Sequence, residues 1–310
     1  MEEAVEKPMM DTSPETTIIV PVWNAESEIE GFIRSFQEVH FPSGGVELVV
    51  VDNGSTDATV SEVKRHCGNL SFSVQVVCEL HFQSSYAARN RGIQAARGEL
   101  LVFTDIDCRP DPHWLLQATE AFSNPTLQLA GGNVVFTYRT SRPSGAEWVD
   151  AHTNMQIERN IRERGVAKTA NLFVRRSLFS EIGLFRSDLR SGGDVEWTRR
   201  ASQAGIQIKY LSSAMVRHPA RGYAALFIKQ WRVGAGKVHL RNASPDATTA
   251  RYSLFRQACE YLTQVPLRQK PGVLFALSLV TAGTLGGKIS ARLHLQLPYQ
   301  ADETTSHEPV

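Results

Sequence analysis

The chain lacks most of the features that would decide its class at once. Its four cysteines in 310 residues, Cys67, Cys78, Cys108 and Cys259, form no CxxC pair. That argues against a zinc site and a disulfide framework and makes a reducing compartment the default. No GxGxxG follows the first apolar strand, so the fingerprint of an NAD-dependent oxidoreductase is missing. The loop there, Pro21-Val22-Trp23-Asn24, is also not the glycine-rich, basic phosphate loop expected of a nucleotidyltransferase. Residues 1–15 are acidic and polar, without the basic and apolar regions of a signal peptide. They read as a disordered leader, and the protein is expected in the cytosol. A formal net charge of +1 says nothing about partners, while 42% hydrophobic and 21% charged residues exclude a mostly disordered chain and a polytopic membrane protein.

Acidic residues are also scarce towards the carboxy terminus. Between Arg217 and Arg292 only Asp246 and Glu260 oppose a succession of Lys and Arg. This points either to an anionic neighbour or to a basic solvated surface. No nucleic-acid motif accompanies it, and nucleic acid is not expected as a partner. Segments 227–240 and 252–265 read as amphipathic helices. Segment 273–287 is apolar, but about 15 residues fall short of the ~20 that span a bilayer. A core helix, a re-entrant segment and an interfacial anchor stay open, with peripheral contact at the inner face of the membrane among them.

What the chain does contain is alternation. Thr17–Val20 reads as a buried strand ended by Pro21, and 29–36 shows helical spacing. Val46–Val51 is a second strand closed by Asp52-Asn53-Gly54-Ser55, a strong turn signal, with a helix expected over 56–65. Strands follow at 74–78 and 100–104, helices at 86–97 and 114–122, and a further strand near Gly131-Gly132. Units of this kind predict an α/β fold with a mostly parallel sheet covered by helices. Such sheets bind ligands at the carboxyl ends of their strands, where Asp52, Asp105 and Asp107 fall.

Asp105 and Asp107 flank one residue. Two carboxylates so close repel each other unless a cation is present, and Mg²⁺ or Mn²⁺ with phosphate oxygens would suit them; the alternative is a solvated loop. Asp52 either shapes its turn or touches a nucleobase or ribose. Asp57 is expected to cap the next helix. Asp194, after Gly192-Gly193, is either a general base aimed into a cleft or a helix N-cap. His218 is either structural or a metal ligand arriving from a later strand. Arg89 and Arg91 either recognise a diphosphate or line an exposed helix face.

Taken in order, Ile19-Val20-Pro21-Val22-Trp23-Asn24, Val49-Val50-Val51-Asp52-Asn53-Gly54-Ser55-Thr56-Asp57, Ala88-Arg89-Asn90-Arg91-Gly92, Phe103-Thr104-Asp105-Ile106-Asp107, Ala170-Asn171-Leu172, Gly193-Asp194-Val195-Glu196 and Val216-Arg217-His218 resemble the family 2 glycosyltransferases of GT-A fold. The resemblance implies a GT-A domain over 16–222; by composition 223–298 reads as a helical, basic extension for which membrane association is one option, and 299–310 as a disordered tail. It implies a hexosyl-type inverting transfer from a UDP-, GDP- or dTDP-sugar to a glycan, lipid-linked or small-molecule acceptor. Pro21 and Asn24 would wall the nucleotide pocket, Asp52 would contact the base, and Arg89 would lie near the nucleotide. Asp105 and Asp107 would serve ribose and the divalent cation (the DxD motif), His218 would approach the metal, and Asp194 would be the base. Two departures stand out: Cys108 occupies a position where many relatives are acidic, and Gly193 replaces a frequent Glu. Gln230-Trp231-Arg232 does not reproduce the Gln-x-x-Arg-Trp signature of processive synthases, so single-sugar transfer is expected. A nucleotidyltransferase and an inactive sugar-nucleotide binder are the competing readings.

Overall fold

The computed structural model describes residues 14–68, 70–243, 268 and 270–293. The expected leader up to residue 13, the helix over 252–265 and the tail over 299–310 lie outside them. The described residues fall into two compact units, one within Met1–Ser141 and Thr153–Ala220, the other within Arg142–His152 and Arg221–Val310.

The first unit is built on a sheet of eight strands. They are β1 (Thr16–Val22), β2 (Val46–Asp52), β3 (Ser73–Cys78), β4 (Leu100–Thr104), β5 (Arg109–Pro110), β6 (Leu129–Thr137), β7 (Asn171–Arg175) and β8 (Ile208–Pro219). Their order is β3-β2-β1-β4-β7-β6-β8-β5. Neighbours are parallel from β3 through β4 and again between β6 and β8, while β7 and β5 run antiparallel to the strands beside them. Pro21 lacks a ladder N–H but sits beyond Ile19↔Phe103, where β4 stops pairing with β1.

β1, β2 and β4 are buried along almost their whole length and apolar in their central residues because both faces are covered. On one face Ile18, Val20, Leu48 and Val50 pack with Ile29, Phe32 and Ile33 of α1 (Glu26–Ser35) and with Trp114 and Leu115 of α4 (Trp114–Phe122). On the other, Phe103 meets Phe179 and Phe185 edge-on, and both of those contact Trp197. That cluster belongs to α7 (Ser177–Ile182), the loop after it and α8 (Gly193–Gln203). Three further helices complete the unit, α2 (Thr59–Cys67), α3 (Ser85–Ala95) and α6 (Ile157–Arg164).

Helix α2 begins three residues later than expected. The intervening N–H groups are already used: Ser55 N–H donates to Asp52, Thr56 N–H to Asn24 Oδ1 and Ala58 N–H to Glu26 Oε2. Between β6 and β8 the register jumps from Gly132↔Leu211 to Asn133↔Met215. Buried Asn171 serves the break: its Nδ2 donates to Asn133 O (2.8 Å) and Ala214 O (2.9 Å), and its Oδ1 accepts from Trp114 Nε1 (2.9 Å).

The second unit is helical: α5 (Gly145–Thr153), α9 (Tyr223–Ala243) and α10 (Lys270–Arg292). Ser144 and Glu147 form a reciprocal capping box at the start of α5. Ala146, Val149, Leu226, Val273 and Ala276 make the core. The apolar run 273–287 lies inside a longer helix, because α10 runs for 23 residues from Lys270 to Arg292. Pro271 is tolerated in its first turn. The glycines do not break it either: a Cβ on Gly287 would stand 1.9 Å from Trp231 O, so only glycine lets α9 approach so closely. Among the described residues α10 is the one helix long and apolar enough to cross a membrane, by length and composition.

Candidate functional site

Because β1, β2 and β4 are parallel neighbours, the loops leaving their carboxyl ends lie side by side. These loops are laced together. Asn24, held at φ 46°, accepts from Thr56 N–H (2.8 Å), and its own N–H donates to Ser55 Oγ (2.9 Å). Ala25 N–H donates to Thr59 Oγ1 (2.7 Å), and Glu26 N–H to Asp57 Oδ2 (3.2 Å). Asp57 also accepts from Thr59 N–H ahead of α2. Its slight burial raises its carboxyl, but hydrogen bonds from Thr59 and Glu26 outweigh this and hold it below the ordinary value. Asp52 is buried at the end of β2, and both its oxygens accept from Ser55 N–H at 3.2 and 3.3 Å. Asp52 therefore shapes the turn. Pro21 is half-buried in β1.

Beyond β4, Asp105 meets Arg89 of α3: Nη2 donates to Oδ1 at 2.5 Å. Arg89 is 3% exposed, gives Nη1 to Ser85 O, and leaves Nε without a partner. Such an orphaned buried donor is expensive unless something polar reaches it. Arg91, one residue past Asn90, is half-buried.

β5 starts immediately after this loop and pairs with the far end of β8, Arg109↔Arg217 and Pro110↔Val216. That pairing draws Asp107 to His218, with Oδ2 and Nε2 3.3 Å apart. His218 is fully buried, and its Nδ1 lies 2.7 Å from Pro219 O. A carbonyl only accepts, so Nδ1 carries the hydrogen and Nε2 is the atom presented to Asp107. A histidine whose second nitrogen is held by a backbone carbonyl is the usual orientation of a metal ligand. Two donors at ~2.1 Å from one ion subtend roughly 100° when they are this far apart, an ordinary angle for adjacent ligands. The pair therefore fits a divalent cation that draws its remaining oxygens from a ligand. No group of three or more His, Cys, Asp or Glu able to hold a metal occurs among the described residues.

Cys108 turns inward from the same loop. It is fully buried with Sγ towards Ala170 O, and burial followed by the charges of Asp107 and Asp105 pushes its thiol well above the ordinary value. Cys67, Cys78 and Cys108 are all free thiols.

Asp194 lies in the first turn of α8, reached through Gly192 at φ 83°. Trp197 Nε1 donates to Gly183 O (2.6 Å), and Thr198 Oγ1 to Asp194 O (2.7 Å), which fix the helix start. Tyr86, from the same α3 as Arg89, gives its hydroxyl to Asp194 Oδ1 at 3.1 Å. The chain Asp105–Arg89–Tyr86–Asp194 places the carboxylate of α8 beside the β4 loop. Tyr86 escaped the sequence reading; the only available signal was an aromatic hydroxyl in a helix rich in Ala and Arg.

Comparison with known proteins places this arrangement. A family model described as "Glycosyl transferase family 2" matches residues 17–183. Glycosyltransferase AglE of Haloferax volcanii is 40% identical over 235 residues, covering 75% of this chain and 76% of that protein. Mannosyltransferase PcManGT from Pyrobaculum calidifontis, solved with GDP-Man and Mn²⁺, superposes with a TM-score of 0.57 at 22% identity, covering 98% of this chain and 82% of that one. TarS 1–349 of S. aureus, solved with UDP-GlcNAc, gives 0.53 at 18% identity, covering 91% and 92%. At these identities the two structures bear on the fold, and it is the GT-A fold.

Proposed function

The chain belongs to glycosyl transferase family 2, and we propose that it moves a single sugar from a nucleoside-diphosphate sugar to an acceptor hydroxyl with inversion at the anomeric carbon. The observation that carries this reading is the approach of Asp107 to His218 beside the Arg89–Asp105 pair at the strand ends. The nucleotide lies against the laced floor formed by Pro21, Asn24 and Asp52. Arg89 offers its orphaned Nε to a diphosphate oxygen. Asp107 and His218 would hold a divalent cation, Mn²⁺ or Mg²⁺, which when bound would supply positive charge against that developing on the departing diphosphate. Asp194 takes the proton from the acceptor hydroxyl as its oxygen bonds to the anomeric carbon opposite the leaving group. General-base catalysis of this kind contributes typically ~10²–10⁴-fold. The neighbours solved with GDP-Man and Mn²⁺ and with UDP-GlcNAc support the donor class.

Calorimetric titration with UDP-, GDP- and dTDP-sugars, with and without Mn²⁺, tests the reading. One nucleotide should bind, and its affinity should fall by about tenfold or more after EDTA treatment. Binding indifferent to metal would remove Asp107 and His218 from the site.

The acceptor is proposed to be met at a membrane surface. Helix α10 exposes Leu274, Phe275, Leu285, Ile289 and Leu293, and neither 221–243 nor 270–293 contains an acidic residue. Arg232 and Lys237 on α9, which packs along α10, favour an interfacial position over a span. Each Lys or Arg near an anionic surface adds about 1 kcal/mol. The protein should sediment with phosphatidylglycerol-containing vesicles, and a Phe275→Glu, Leu285→Glu variant should remain in the supernatant. Equal partition of the two would remove α10 as the contact.

A further inference from the structure

Tyr86 holds the one carboxylate to which a proton-abstracting role is given above. It is 6% exposed, and its hydroxyl accepts from Gly192 N–H at 3.1 Å while donating to Asp194 Oδ1 at 3.1 Å. With a backbone N–H already on the phenol oxygen, its single hydrogen goes to the carboxylate. Val195 N–H reaches the same Oδ1 at 2.9 Å. The other oxygen, Oδ2, has no hydrogen-bond partner among the described residues. The carboxylate is therefore asymmetric, with one oxygen doubly anchored and the other available.

We propose that Tyr86 is the positioning residue of the base: it clamps Asp194 Oδ1 so that Oδ2 faces the acceptor hydroxyl and receives its proton. The inference rests on the reading of Asp194 as the base. Burial first, then the charge of Asp194, pushes the Tyr86 hydroxyl far above its ordinary value, opposed by Arg89. Those are the charged groups facing it, Asp194 from α8 and Arg89 from its own helix, whose guanidinium carbon sits 5.7 Å from the ring centroid. The phenol thus remains a donor at every working pH.

Gly193 supplies an independent observation. A Cβ there would lie 2.7 to 2.9 Å from three atoms of the Tyr86 ring, closer than packed carbon atoms approach. The ring fills the space that any side chain at 193 would need. Tyr86 and Gly193 therefore act as one device, in which a neutral hydroxyl donor takes the place of a second acidic neighbour for the base. A second carboxylate there would repel the first.

The test compares Tyr86→Phe, which keeps the ring, with Asp194→Asn. Turnover is followed as nucleoside diphosphate release, with water as acceptor, from whichever donor the calorimetry selects, and the variant's crystal structure is determined alongside. Loss of a hydrogen bond to a charged group predicts a kcat lower by roughly 10- to 100-fold. Donor KM should stay within about twofold, and Asp194 should occupy more than one rotamer. A single unchanged Asp194 rotamer, or a loss confined to KM, would overturn the assignment. An inactive Asp194→Asn beside a fully active Tyr86→Phe would overturn the Tyr86 role alone. An active Asp194→Asn would instead remove the base reading itself.

Discussion

Asp194→Asn lowers kcat by about 10²–10⁴-fold and leaves donor affinity unchanged. Asparagine keeps the shape of the side chain, and its carbonyl oxygen can still accept from Tyr86 and Val195, so the start of α8 remains in place. What disappears is the ability to take a proton. The helix itself is secured elsewhere, by Trp197 against Phe179 and Phe185 and by the Trp197–Gly183 bond. The proposed donor side consists of other residues, the Arg89–Asp105 and Asp107–His218 pairs. Steady-state kinetics and calorimetry on the same preparation separate the two effects. If donor affinity falls in step with kcat, Asp194 belongs to the donor pocket and the base lies elsewhere.

Asp150→Ala destabilises the helical unit by about 3 kcal/mol or more. Asp150 is fully buried, with Lys229 Nζ at 3.1 Å from Oδ1 and both the N–H and the guanidinium of Arg221 on Oδ2. Removing the carboxylate strands the Lys229 ammonium, only 11% exposed, without its counter-charge. Burial alone would raise the Asp150 carboxyl, but Lys229 and then Arg221 draw it below the ordinary value. A depressed carboxylate contributes stability in full above its unfolded value of ~3.9 and loses it as pH falls through the lower folded value. The gap between wild type and Asp150→Asn in denaturant unfolding should therefore be constant near neutrality and shrink below about pH 4. A gap that widens on acidification would show that the pair does not act in this way.

Much of the architecture was legible because it rests on short-range patterns. β4 and α4 occupy the very residues expected, since each is a compact apolar run with clear ends. Longer-range features were not legible. β5 is two residues long and exists only because β8 passes beside it. β8 extends over 12 residues through Lys209, Ser212 and Ser213, which carry no strand signal of their own. Helix α10 extends beyond the apolar run 273–287, and its glycines, ordinarily helix breakers, are satisfied there by the backbone of α9. The acidic residues of the site could be named from their positions after strands. The link from Arg89 through Tyr86 to Asp194 could not, because it joins α3 to a helix more than a hundred residues later.

The register jump between β6 and β8 acts as a spacer. Continued from Gly132↔Leu211 without interruption, the ladder would set Met215 level with Phe136; with the jump, His218 stands there. Three residues of slack thus decide whether a thioether or an imidazole arrives opposite Asp107, and the side chain of Asn171 takes up the carbonyls the slack releases. The phase of the whole far edge of the sheet is in this sense a single-residue property, kept by a buried amide bonded to Trp114, Asn133 and Ala214.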